Sequence, residues 1–156
     1  MHAKRTACVA LAILSLSGCA GGHSQPGDHS VADVSAALRA VGLDSFRPIS
    51  NVDMGARQGT RGVSSDKFAG GFWFVRHGGV GQHPPFVVIS IAVMNDPSVI
   101  GKLKAEAKKR RASPPVNVRL ARAGNVVIVS VSEHPDAADR GILARIPKLV
   151  RYLDNH

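Results

Sequence analysis

Apolar positions along the chain follow two rhythms. Val31, Val34, Leu38 and Val41 recur at helical spacing, which predicts a helix over 31–41 with one apolar face. Ser30 and Asp33 resemble a capping box, with Asp in place of the commoner Glu, and Gly42 suits the helix exit. From residue 72 the rhythm changes. FWFVRH (72–77) and FVVISIAVM (86–94) are rich in β-branched and aromatic residues and read as two strands joined by the Gly-rich loop GGVGQHPP. Asn95-Asp96-Pro97 then supplies an N-cap and a first-turn proline. In SVIGKLKAEAKKRRA, Val99, Ile100, Leu103 and Ala107 share one stripe and the basic residues fill the remaining arc, giving a basic amphipathic helix that ends at Ser113-Pro114-Pro115.

The same plan recurs downstream. Residues 116–120 alternate, Ala123-Gly124-Asn125 turns, and Val126 to Val131 is almost continuously apolar, so a second hairpin is expected. Beyond Glu133-His134-Pro135, a stripe of Ala138, Ile142, Ile146, Leu149 and Leu153 predicts a helix that Pro147 kinks or splits. Two strand-strand-helix units imply an α+β fold: a two-layer sandwich with a mainly antiparallel four-stranded sheet, helices on one face, and the first helix added to the helical layer. Residues 44–70 fit less well. Phe46, Pro48, Ile49 and Val52 suit a short strand, but the stretch is long and rich in Gly and Arg, so either a hidden element or a functional loop lies there. Because 87–93 and 126–131 are apolar at nearly every position, both sheet faces need cover, from the 44–70 segment or from a partner.

The first residues obey a different logic. Lys4 and Arg5 precede an apolar run from Ala7 to Leu16, followed by small residues, which is the layout of a secretory signal peptide. About 20 apolar residues are needed to span a bilayer, so this run is too short to remain as an anchor. Leu16-Ser17-Gly18-Cys19 resembles the lipobox of bacterial lipoproteins. The resemblance implies diacylglycerylation of Cys19, cleavage between Gly18 and Cys19, and a lipid-anchored protein at the outer leaflet of the plasma membrane, or at the outer membrane of a two-membrane cell. Ordinary cleavage after Ala20, with Gly18 and Ala20 as the small residues, is the alternative. Cys8 leaves with the signal, so the mature chain keeps one thiol and no internal disulfide. The expected organisation is a signal peptide at 1–18, a flexible Gly/Pro-containing tether at 19–29, and a single α+β domain at 30–156.

Composition alters this picture little. Of 156 residues, 44% are hydrophobic and only 4% aromatic, so Val, Ile, Leu and Ala must build the core. Without Lys4 and Arg5 the chain has 18 basic against 11 acidic side chains, a formal +7 beside an anionic surface. Lys102, Lys104, Lys108, Lys109, Arg110 and Arg111 on the basic helix are the candidate contact for anionic lipid or wall polymer, although positive charge near a helix C-terminus also complements the dipole. Nucleic acid is not an expected partner, since interleaved exposed aromatics for base stacking are lacking. Phe72, Trp73 and Phe74 lie consecutively on one strand, so at least one must face away from the others.

Motifs for chemistry are scarce. The chain has no G-x-S-x-G, H-E-x-x-H, C-x-x-C or P-loop pattern. His77 and His83 flank the Gly-rich loop but lack a third ligand of clear spacing, so neither a metal nor any other cofactor is expected. Together with the lipobox and the tether, this scarcity points to a membrane-anchored, non-enzymatic binding or accessory module for another envelope component. Two alternatives stand beside it: an envelope-acting enzyme drawing an acid-base set from Asp53, Asp66, Glu133 or His134, and a basic tether for anionic polymer or lipid.

Overall fold

The apolar runs 86–94 and 126–131 become interior strands. In the computed structural model, which describes residues 28–57, 63–78, 86–111 and 116–156, the strands are β1 (Arg47–Ile49), β2 (Phe68–His77), β3 (Phe86–Met94), β4 (Asn117–Ala123) and β5 (Val126–Glu133). They form one antiparallel sheet in the order β1-β2-β3-β5-β4. β3 and β5, the two most apolar strands, lie at its centre, and the shorter β1 and the Arg-bearing β4 lie at its edges. The fold is therefore α+β, as the pattern implies. The expected four strands become five, because Arg47–Ile49 pairs with Gly71–Trp73 at the edge.

The helices are α1 (Val31–Ala40), α2 (Asn51–Arg57), α3 (Ile100–Arg111), α4 (Ala137–Leu143) and α5 (Ile146–Asp154). Ser30 and Asp33 cap α1 reciprocally, and Gly42, at φ +72°, turns the chain away from it. Asp136 and Asp139 repeat the same box at α4. Pro147 sits in the first turn of α5, where its missing N–H costs nothing, so the expected split falls between Leu143 and Ile146. That break shifts the helical phase. Ala138, expected on the buried stripe, is exposed, and the neighbouring Asp139 is buried instead.

Helices cover both faces of the sheet, which corrects the two-layer arrangement. On one face Val87, Ile89, Ile91 and Val93 of β3, with Val126 and Ile128 of β5, pack against Val34 and Leu38 of α1 and Ile146, Leu149 and Leu153 of α5. On the other, Ala92, Met94 and Val127 pack with Met54 of α2 and Ile100 and Leu103 of α3. Alternation along a strand sends successive side chains to opposite faces, so a continuously apolar strand demands both layers. The 44–70 segment thus supplies cover through α2, and α3 supplies the rest from the face opposite α5. Phe72 and Phe74 share the α1/α5 face, where Phe74 stacks on Phe46 with ring centroids 5.1 Å apart. Trp73 lies on the other face, half-buried, opposite Arg47 and Ser90 in the ladder.

Asn125, in the β4–β5 turn, fixes the start of the domain. Its side chain accepts from His29 N at 2.7 Å and donates to the carbonyls of His29 and Met94, both at 3.0 Å. The expected tether is thus already held to the sheet at residue 29. Both apolar clusters lie between Val31 and Leu153, so the chain from Ala20 onward contains them whole.

Candidate functional site

The sequence candidates do not converge. Gly18 and Cys19 lie outside the described residues, as does His83. On α3, Lys102, Lys104 and Lys108 are exposed while Val99, Ile100 and Leu103 are buried, as the amphipathic pattern requires. The side chains of Lys109, Arg110 and Arg111 lie outside the described residues. His77 stacks on Phe86 across the hairpin, ring centroids 6.4 Å apart. Among the described residues no group of three His, Cys, Asp or Glu is placed to hold a metal, and no helix is long and apolar enough to cross a membrane.

The acid-base candidates are dispersed as well. Asp53 accepts from Ser50 Oγ at 2.8 Å and serves the first turn of α2. Asp66 is exposed beside Lys67, 3.9 Å away. Glu133 and His134 approach to 3.8 Å, but as chain neighbours in the turn where His134 adopts φ +46°. Near that turn Arg76 bridges to the α4 cap, 3.0 Å from Asp136 Oδ2 and 3.4 Å from Asp139 Oδ1. This cluster ties β2 to α4. Asp136 is held below the usual carboxylate range by the Asp139 backbone N–H and by the Arg76 charge. Asp96, capping the turn that leads into α3, is lowered to about 2 by hydrogen bonds from Ser98 and then from Lys67.

The recess that stands out was not anticipated. It lies at the β4 side of the sheet, beneath α5, with a volume of about 440 Å³. Ala121 and Ile128 form its floor and Leu143, Ile146 and Val150 its helical wall. Two exposed arginines flank it, Arg119 on β4 and Arg151 on α5, and among the described residues they are the only ionisable side chains lining it. Among the described residues Arg119 makes no hydrogen bond or ion pair. Arg151 reaches only the Pro147 carbonyl of its own helix, at 3.4 Å.

Ser130 also lines this groove. It is 5% exposed, lies directly opposite Arg119 in the β4–β5 ladder, and has no side-chain hydrogen-bond partner among the described residues. Lining the groove, its hydroxyl is open to a polar group brought by a ligand. Among the described residues the groove thus brings together apolar walls, one hydroxyl and two cations.

Two further recesses are already engaged or lack such a set. One of about 530 Å³ lies where His29 meets the C-terminus, between Asp33, Tyr152 and His156. There Asp33 is occupied by Ser30, whose hydrogen bonds hold its carboxyl below the usual range, and His156 stacks on Tyr152 at 4.2 Å. Another, of about 510 Å³, borders β1 and the part of β2 that runs beyond it, near Trp73 and Val75. Compared with family models, with curated proteins and with solved structures, the chain matches none.

Groove residues were hard to find in the sequence because they come from three separate segments. One signal existed. Ser130 interrupts the apolar run Val126–Val131, and a polar residue inside a central strand needs either a partner or a purpose.

Proposed function

We propose that this is an exported protein, anchored to the envelope through a lipid on Cys19, whose α+β domain binds an apolar envelope component in the groove between α5 and the β4–β5 hairpin. The groove carries the reading. It is apolar, preformed, and provided with a few placed polar groups, as small-ligand sites are. The lipobox and the short tether support the location, since they hold the domain close to a lipid source. The absence of a base among the described residues lining the groove beside Ser130 favours holding a ligand over transforming it.

Ala121→Phe tests the site. Ala121 is half-buried on the groove floor, and a phenyl ring there fills the space while leaving both arginines in place. An uncharged environment-sensitive dye, Nile red, should bind the chain from Ala20 onward and lose at least tenfold in affinity to the variant, with far-UV circular dichroism unchanged. Equal dye binding by both proteins would remove the groove from the account.

A second reading concerns α3. Its exposed Lys102, Lys104 and Lys108 favour a contact with anionic lipid or wall polymer, each near-surface charge contributing about 1 kcal/mol. Vesicle binding by the unlipidated chain that falls steeply between low and physiological salt tests this contact. Salt-independent binding rules it out.

A further inference from the structure

The groove's charge, hydroxyl and size together define a ligand class, an inference that rests on the groove being the binding site. We infer that the occupant is a single-chain anionic lipid, its chain along the apolar floor and its acidic head between Arg119 and Arg151, within reach of Ser130. Three observations lead there. The first is charge: both ionisable groups at the groove are cationic, exposed and without an acidic partner among the described residues, so an anionic head is matched and a cationic one repelled.

The second is the hydroxyl. Ser130 lines the floor with no side-chain partner among the described residues, directly across the ladder from Arg119, so one head group can accept from the serine and the guanidinium together. Both Arg and a serine O–H donate. An ionised carboxylate, which accepts at both oxygens and carries a net negative charge, satisfies them, whereas a zwitterionic phosphocholine brings a cation beside the two guanidiniums.

The third is size. At about 30 Å³ per water-sized group, 440 Å³ holds roughly fifteen such groups. The groove is half open, and this room suits one acyl chain laid along its floor. The expected occupant is therefore a free fatty acid or another single-chain lipid whose head carries a net negative charge, and the zwitterionic phosphocholine head is the contrast. A lipid-anchored domain meets such molecules at the membrane surface.

The test uses the full chain in phosphatidylcholine vesicles at about pH 8. Two photoreactive probes share one diazirine-bearing acyl chain and differ in the head, one carboxylate and one phosphocholine. Cross-linked peptides are mapped by mass spectrometry. Expected is labelling of the 119–130 and 143–151 segments, about tenfold stronger with the carboxylate probe, since each exposed ion pair contributes up to about fivefold. Arg119→Gln/Arg151→Gln, at exposed positions, should erase the preference and keep the labelling. Ala121→Phe should lose labelling by both probes, and Val150→Gln serves as a second groove variant should the phenyl ring disturb α5.

Equal labelling of the groove by both probes in the unmodified chain would overturn the anionic ligand class and leave the groove reading standing. Labelling that persists in both groove variants, or that falls on other segments, would overturn the groove reading itself.

Discussion

Gly71 is the position at which the sheet should tolerate least. It pairs with Ala92 on β3 and Ile49 on β1, and a Cβ built there would overlap both the carbonyl oxygen of Ile91 and Cε of Met54. These obstacles differ in kind. Met54 ends a flexible side chain that can swing aside, whereas the Ile91 carbonyl belongs to the backbone of a central strand. Overpacking costs about 1–3 kcal/mol in general, and because one obstacle here is immovable, Gly71→Ala should cost about 3 kcal/mol or more. With a urea m-value of about 1.5–2 kcal/mol per M, the midpoint falls by about 1.5–2 M.

The assay is urea unfolding followed through Trp73, the only tryptophan in the chain. Met54→Ala separates the two obstacles. Met54 is 0% exposed and is the buried anchor of α2, so its truncation alone costs about 2–4 kcal/mol. If the backbone contact dominates, Gly71→Ala costs the same in the Met54→Ala background, within about 0.5–1 kcal/mol. Should the double variant be unfolded in buffer, an osmolyte such as TMAO restores a measurable transition for all four proteins. The reasoning fails if Gly71→Ala costs under about 1 kcal/mol, the low end of ordinary overpacking, or if Met54→Ala relieves more than half of it.

Other predictions test separate parts of the account. Asn125→Ala removes three side-chain hydrogen bonds and should cost about 1–3 kcal/mol, with loss of hydrogen-exchange protection at the His29 amide; retained protection would mean another contact holds residue 29. Arg76→Ala strips the nearest cation from Asp139, whose side chain is 2% exposed, and should cost about 1.5–3 kcal/mol, partly recovered by adding Asp139→Asn; no recovery would show that Arg76 acts through packing. Asp96 has a folded pKa of about 2, below its unfolded value near 3.9, so its contribution is present above about pH 4 and lost as pH falls toward 2; Asp96→Asn should flatten that interval of the stability profile, and an unchanged slope would refute the assignment. Cys19→Ala should release the protein from the membrane fraction after a salt wash, and continued retention would count against the lipid anchor.

Much of the fold was legible because its signals are local. The run 86–94 became β3 end to end, Ser30 and Asp33 marked α1, and Pro147 marked the start of α5. α2 was missed although Ser50-Asn51-Val52-Asp53 repeats the pattern of Ser30-Val31-Ala32-Asp33, including the Ser–Asp hydrogen bond. A seven-residue helix anchored by Met54 has too few buried positions to show a period. The placement of α3 and α5 on opposite faces was not legible either. When both faces of β3 and β5 are apolar, alternation no longer says which side a helix must take.

The groove was the least legible feature. Its arginines and its apolar wall come from β4 and α4–α5, where each reads as an ordinary surface cation or a helix stripe. Proximity arises only when α5 crosses the β4–β5 hairpin, and sequence spacing carries no record of that crossing.

The most direct test of the central claim is methyl NMR on the chain from Ala20 onward, titrated with tetradecanoate below its micellar concentration. Saturable shifts confined to Ile128, Leu143, Ile146 and Val150, with Val75, Val88 and Val131 on the opposite face unmoved, are the predicted result. No shifts, or shifts centred on the Val75–Val88–Val131 row, would contradict it.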